Sequence, residues 1–100
     1  MQPPYYAVIF TNKRTEGENG YAEMAQKMED LARKQTGFLG FESARDEIGI
    51  SVSYWESLED ILKWKTNTEH LFAQQKGKSD WYAWYKVRIC FVEREYGFNI

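Results

Sequence analysis

The chain has 100 residues, enough for one domain spanning 1–100, and its 43% apolar and 28% charged content excludes a disordered polymer. Thirteen basic and fifteen acidic residues are interspersed and sum to a net charge of −2, so no basic stripe offers itself to nucleic acid. The lone Cys90 excludes an internal disulfide, one His with one Cys excludes a transition-metal site, and no apolar run approaches the roughly 18 residues of a membrane span.

Residues 5–13, YYAVIFTNK, are rich in β-formers and follow Pro3-Pro4, which keeps the approach extended. The first ten residues lack the charged region and small-residue cleavage site of a signal peptide, and a cytoplasmic location is expected. Thr15 to Gly20 is polar and holds two glycines, so it reads as a loop. From Tyr21 the period changes. Tyr21, Met24, Ala25, Met28, Leu31 and Ala32 recur at helical spacing, with Glu23, Lys27, Asp30 and Lys34 on the opposite side. Thr36-Gly37 closes this helix, with Gly37 suited to a left-handed cap.

Phe38 to Arg45 reads as a second strand, 46–49 (DEIG) as a turn and Ile50 to Glu56 as a third strand, the short turn making the pair an antiparallel hairpin. Ser57 is the expected N-cap of a second helix, with Asp60 three residues on in place of the usual Glu. Leu58, Ile61, Leu62, Trp64, Thr68, Leu71 and Phe72 form its apolar stripe, and Gly77 ends it. Trp81 to Arg94 is a long last strand with an irregular start. The order β-α-β-β-α-β predicts an α+β, ferredoxin-like domain, one antiparallel sheet with both helices on one face.

Alternation assigns the sheet faces. Ile50, Val52 and Tyr54, with Tyr85, Val87, Ile89 and Phe91, are expected toward the helices. Ser51, Ser53 and Trp55, with Lys86, Arg88, Cys90 and Val92, are expected on the other face. Four Trp, seven Tyr and six Phe exceed what a 100-residue monomer hides, so some are expected to line a pocket or a subunit interface. The second face then meets either water, as antiparallel sheets often do, or a second copy, and the second copy is the expectation. The tail adds Tyr96, Phe98 and Ile100 at alternate positions, and Tyr96 and Phe98 join the expected dimer interface.

The element order, the strand ending YWES at 54–57 and the LEDILKWKTNTEH that follows resemble the antibiotic biosynthesis monooxygenase (ABM) domain of the dimeric α/β-barrel superfamily. The sharpest element is Trp55-Glu56-Ser57 followed nine residues later by Trp64. The resemblance covers nearly the whole chain. It implies a homodimeric barrel with a pocket between sheet and helices. It also implies functions that range from cofactor-free oxidation of phenols by molecular oxygen, through haem degradation, to no known activity.

Each candidate has a functional and a packing reading. His70 is the natural base or iron ligand, yet on a straight helix it sits roughly 160° from the stripe's centre, beside Lys63 and Asn67; only a break near Asn67-Thr68 turns it inward. Relatives that degrade haem pair a first-strand polar residue, matched here by Asn12, with a helix Trp, matched by Trp64, and a ligand ten residues further on. That ligand position is Gln74, which weighs against haem. Trp64, Phe72, Trp81, Tyr85 and Tyr54 are the candidates for a flat aromatic site, or else for the core edge. Cys90 reads as a small interface residue. The function expected is a cofactor-free ABM-like monooxygenase for a small aromatic or quinol substrate, with Asn12 or His70 in polar contact. The alternative is a non-catalytic small-molecule binding or stress-associated barrel that kept the fold and lost the chemistry.

Overall fold

The computed structural model describes residues 2–74 and 80–100, with 72–74 described by backbone alone. Strand β1 is Tyr5–Arg14, helix α1 Tyr21–Arg33, β2 Phe38–Arg45, β3 Gly49–Trp55, helix α2 Leu58–Gln74 and β4 Tyr82–Val92. This is the predicted β-α-β-β-α-β order. Element ends differ from the sequence reading by one to two residues. Gly77, expected to end α2, lies outside the described residues. The sheet runs β2-β3-β1-β4 with every neighbouring pair antiparallel, so the two β-α-β halves interleave and β1 lies at the centre.

Local chemistry sets the helix ends. Ser57 caps α2 as expected: its Oγ accepts from the Asp60 N–H at 3.1 Å and donates to the Asp60 carboxylate at 2.8 Å. Helix α1 begins without a side-chain N-cap, because Gly20 occupies that position in the left-handed region. The Glu18 carboxylate substitutes, accepting from the N–H groups of Gly20 at 3.1 Å and Ala22 at 2.7 Å. Gly37, at φ +83°, closes the turn after α1. A Cβ there would overlap the Asp60 carboxylate, so one glycine both turns the chain and admits the α2 cap.

Side chains at Tyr6, Val8, Phe10 and Asn12 of β1 alternate toward the helices, opposite Val87, Ile89 and Phe91 of β4. In β3 the face reading is reversed. Ser53 and Trp55 are buried under the helices, with Ser51 beside them, whereas Ile50, Val52 and Tyr54 lie on the open face. The reason is packing: Trp55, 0% exposed, sits in the angle between Ala32 of α1 and Ile61 of α2. Its indole N–H donates to Ser53 Oγ at 2.8 Å, and Trp64 stacks on it at 5.9 Å. Ser51, Ser53 and Trp55, expected on the face away from the helices, therefore lie under them, and Ile50, Val52 and Tyr54 take the open face.

Two register irregularities place aromatic rings that alternation alone misses. Between Phe38 and Gly40 the pairing with β3 skips one residue, which turns Phe38 edge-on to Trp55. Between Lys13 and Arg14 the pairing skips Ala83, so Tyr82 and Tyr85 both reach Phe10 on the helix side. Met24, Trp81 and Tyr82 form a second core cluster there.

On the open face, Tyr5 donates to Glu95 at 2.6 Å and Tyr54 donates to Glu42, with the two rings edge to face at 5.7 Å. Donation to the Glu95 carboxylate, with burial, pushes the Tyr5 phenol from 10.0 up to about 12, and Glu42 does the same to Tyr54. A raised folded value means that these contacts stabilise fully below pH 10 and are lost as pH rises through about 12. Spectrophotometric titration should therefore show a late tyrosinate phase near pH 12 for Tyr5 and Tyr54, halved by Tyr5→Phe. A single phase near pH 10 for every tyrosine would contradict the geometry.

Candidate functional site

The helices do not close on the sheet. Small side chains, Ala25 and Ala32 of α1 and Ser51 and Ser53 of β3, face the gap, and a cleft of about 860 Å3 remains. Leu58, Ile61, Leu62 and Trp64 of α2 form one wall; Val8, Phe10, Tyr85, Val87 and Ile89 form the sheet side; Met24 and Met28 lie along α1. On the sheet side its polar residues are Ser51, Ser53, Tyr82 and Tyr85. Glu29, Lys65 and Glu69 stand at the rim, Glu29 bonded to Arg33 at 2.9 Å and Lys65 to Glu69 at 4.0 Å.

At one end the cleft meets a cluster built on Tyr21. Arg14 lies over the Tyr21 ring with Cζ 3.4 Å from its centroid, and donates to the carbonyls of Trp81, Gly17 and Glu18. The Tyr82 ring meets Tyr21 edge-on, and burial, with Tyr21 beside it, pushes the Tyr82 phenol above the ordinary range. Arg45, at the end of β2, donates from Nη2 to the Asn12 side-chain oxygen and to the Tyr21 hydroxyl at 3.3 Å. Gly49 makes room for it, since a Cβ there would overlap the guanidinium.

Of the residues picked out by sequence, the cleft gathers Trp64 and Tyr85. Tyr54 is on the opposite sheet face. Trp81 is buried in the core, its indole N–H donating to the Asn19 carbonyl at 2.9 Å, and does not line the cleft. The Phe72 side chain lies outside the described residues. Asn12 is 1% exposed; its amide donates to the Gly49 carbonyl at 3.4 Å, and Arg45 stands in front of it, so it supports the site and does not face a ligand. His70 is exposed on an unbroken α2 and absent from the lining, as helix geometry dictates. A haem iron would therefore find no histidine in the cleft, and the residues do not fit that group. No group of three or more His, Cys, Asp or Glu suited to a metal occurs among the described residues. Nor is any helix among them long and apolar enough to cross a membrane.

Sequence reasoning missed Arg45, Tyr21, Ser51 and Ser53. The serines carry no motif; their signal is smallness at positions where the neighbouring strands supply large rings. Arg45 reads as a charge flanking a turn until Gly49 is seen beneath it.

A four-stranded antiparallel sheet under two helices that leave an apolar cleft defines the class: this is the fold of the antibiotic biosynthesis monooxygenases. SnoaB, a cofactor-independent oxygenase from Streptomyces nogalater, superposes with a TM-score of 0.74 at 5% identity, covering 91% of this chain and 95% of SnoaB. PA3566 from Pseudomonas aeruginosa gives 0.72 at 15% identity, with 94% and 99% covered. A candidate antibiotic biosynthesis monooxygenase from Bacillus cereus gives 0.64 at 20% identity, with 96% and 100% covered. No protein-family model matches the chain. The chain belongs to the family of YqjZ, an uncharacterised protein of Bacillus subtilis strain 168, with 50% identity over 96 residues, 94% of this chain and 84% of YqjZ.

Proposed function

We propose that this protein is a cofactor-free oxygenase of the antibiotic biosynthesis monooxygenase type, acting on a small aromatic or quinol substrate held in the cleft. The observation that carries the reading is the cleft itself, about 860 Å3 kept open by small side chains and walled by Trp64 and Tyr85. That volume falls in the range of about 300–1,000 Å3 usual for small-molecule sites. The name of SnoaB, a cofactor-independent oxygenase of the same fold, supports it.

The chemistry asked of the protein is modest. An anthrone-like substrate, acidic at its ring CH2, releases a proton to solvent, the resulting carbanion reacts with O2, and the peroxide anion takes a proton back. The peroxide then loses water and the ring carbon becomes C=O, so one oxygen atom enters the product and the other leaves as water. The cleft contributes orientation, a stacking wall and exclusion of bulk water.

A non-catalytic binding module is the second reading, favoured by the rim, where Glu29, Lys65 and Glu69 each pair within their own helix. One experiment separates the two: oxygen-electrode assays on hydroquinones and anthrones, run beside tryptophan-fluorescence titrations. Oxygen uptake above the blank with saturable quenching is the expected result. Quenching without uptake identifies the binding module, and absence of both removes the cleft as a ligand site.

We further infer that a homodimer covers the open sheet face. Ile9, Val52, Cys90 and Val92 lie across that face, and beyond Glu95 the tail exposes Tyr96 and Phe98 almost completely, at 93% and 91%.

A further inference from the structure

Beside the cleft lies a second, smaller cavity of about 310 Å3, lined by Ser43 and Arg45 of β2 and by α1. Tyr21, Ala25, Glu29, Phe41 and Ser51 line both, so one molecule reaches from the apolar space into the polar one. The charges in the two linings are unequal in kind. Glu29, Lys65 and Glu69 are each matched by an opposite charge on the same helix. Arg45 has no carboxylate partner among the described residues.

Arg45 is also held in position. Its Nη2 is engaged by Asn12 and Tyr21, and its guanidinium lies over Gly49. Nε and Nη1 donate to no protein acceptor among the described residues, and the side chain is exposed at the cavity. A guanidinium fixed by two neutral partners has already lost much of its rotamer freedom before a ligand arrives, so an anionic oxygen gains most of the contact. Arg14 cannot serve in its place, because it lines neither cavity and its Nε and Nη2 donate to three backbone carbonyls.

We propose that Arg45 selects the ligand: the site takes an aromatic acid, with the ring in the cleft and the carboxylate on Arg45 in the adjoining cavity. The proposal rests on the reading of the cleft as a ligand site and adds the charge class. A neutral quinol fills the cleft and leaves Arg45 facing water. An aromatic acid satisfies both cavities at once.

Calorimetric titration with 2-naphthoate, 2-naphthamide and 2-naphthol at neutral pH and low salt tests it. The acid should bind about tenfold more tightly than the amide, the scale of one hydrogen bond to a charged group. Arg45→Gln should erase that preference, bringing the acid's affinity down to that of the amide measured with the same variant. Gly49→Ala, which keeps the charge and pushes the guanidinium aside, should erase it as well, and a purely structural role for Arg45 would not move this ratio. Equal affinities for acid and amide in the native protein overturn the proposal alone and leave the cleft standing. So does a preference that survives in Arg45→Gln, or 2-naphthol binding as tightly as the acid. No binding of any probe overturns this proposal and the cleft reading together.

Discussion

Trp55→Ala should lower the melting temperature by on the order of 20 °C, the largest effect expected of any single change outside the backbone. Trp55 is fully buried between the two helices and the sheet; Phe38 and Trp64 meet its ring, and Tyr6 and Val8 pack against the cluster it forms with Ala32 and Ile61. Truncating such a residue removes transfer energy and leaves a cavity, at a cost of about 3–5 kcal/mol. Small domains hold only about 5–15 kcal/mol in total, so the loss is a large fraction of stability. Ser53 Oγ also loses the indole donor at 2.8 Å. Trp55→Phe should restore most of the stability, because the ring still meets Phe38. Thermal melts followed by circular dichroism at fixed protein concentration decide this. A loss under about 5 °C, or roughly 1 kcal/mol, would mean that the helices are anchored elsewhere. The same variant should also remove the near-ultraviolet signal of the stacked Trp55–Trp64 pair, whose planes lie 27° apart.

The second large effect belongs to the proposed dimer. If a second copy covers the open face, folding and association are coupled, and stability rises with concentration. Raising the protein from about 1 to 100 µM should add about 2.7 kcal/mol per dimer by mass action. That corresponds to roughly 5–10 °C in melting temperature for a 200-residue unit. Val52→Asp places a charge in the middle of that face, between Ile9 and Glu42. In the native dimer the charge would be buried without a partner, so the variant should scatter light as a monomer and lose the concentration dependence. A native melting temperature constant over that range would sink the dimer, as would a folded 11.9 kDa species at micromolar concentration.

The sequence by itself determined the order of elements, the two helices and their apolar stripes, and the cap at Ser57. These depend on periodicity and on contacts within a few residues, which a single sequence displays. It placed His70 away from the apolar stripe of a straight helix, because angle follows from count; that α2 runs unbroken past Asn67-Thr68, and so leaves His70 exposed, the structure decided. The faces of β4 were legible too, since Tyr85, Val87, Ile89 and Phe91 stand against charged or small neighbours.

Only the tertiary structure decided the faces of β3. By polarity Ile50, Val52 and Tyr54 are its inward face, yet the choice falls to whichever set fits between the helices, and that is Ser51, Ser53 and Trp55. Trp55 fills the angle between the helices, and the serines beside it leave the cleft empty. The skipped pairings at Leu39 and Ala83 likewise have no local signature, yet they bring Phe38 to Trp55 and Tyr82 to Phe10. Arg45 and Asn12 lie 33 residues apart in the chain and meet because β3, the strand between theirs, carries Gly49 opposite both. Periodicity tells which residues share a face of one element. What two elements place in the same space depends on register and side-chain volume, and those are settled only when the sheet is assembled.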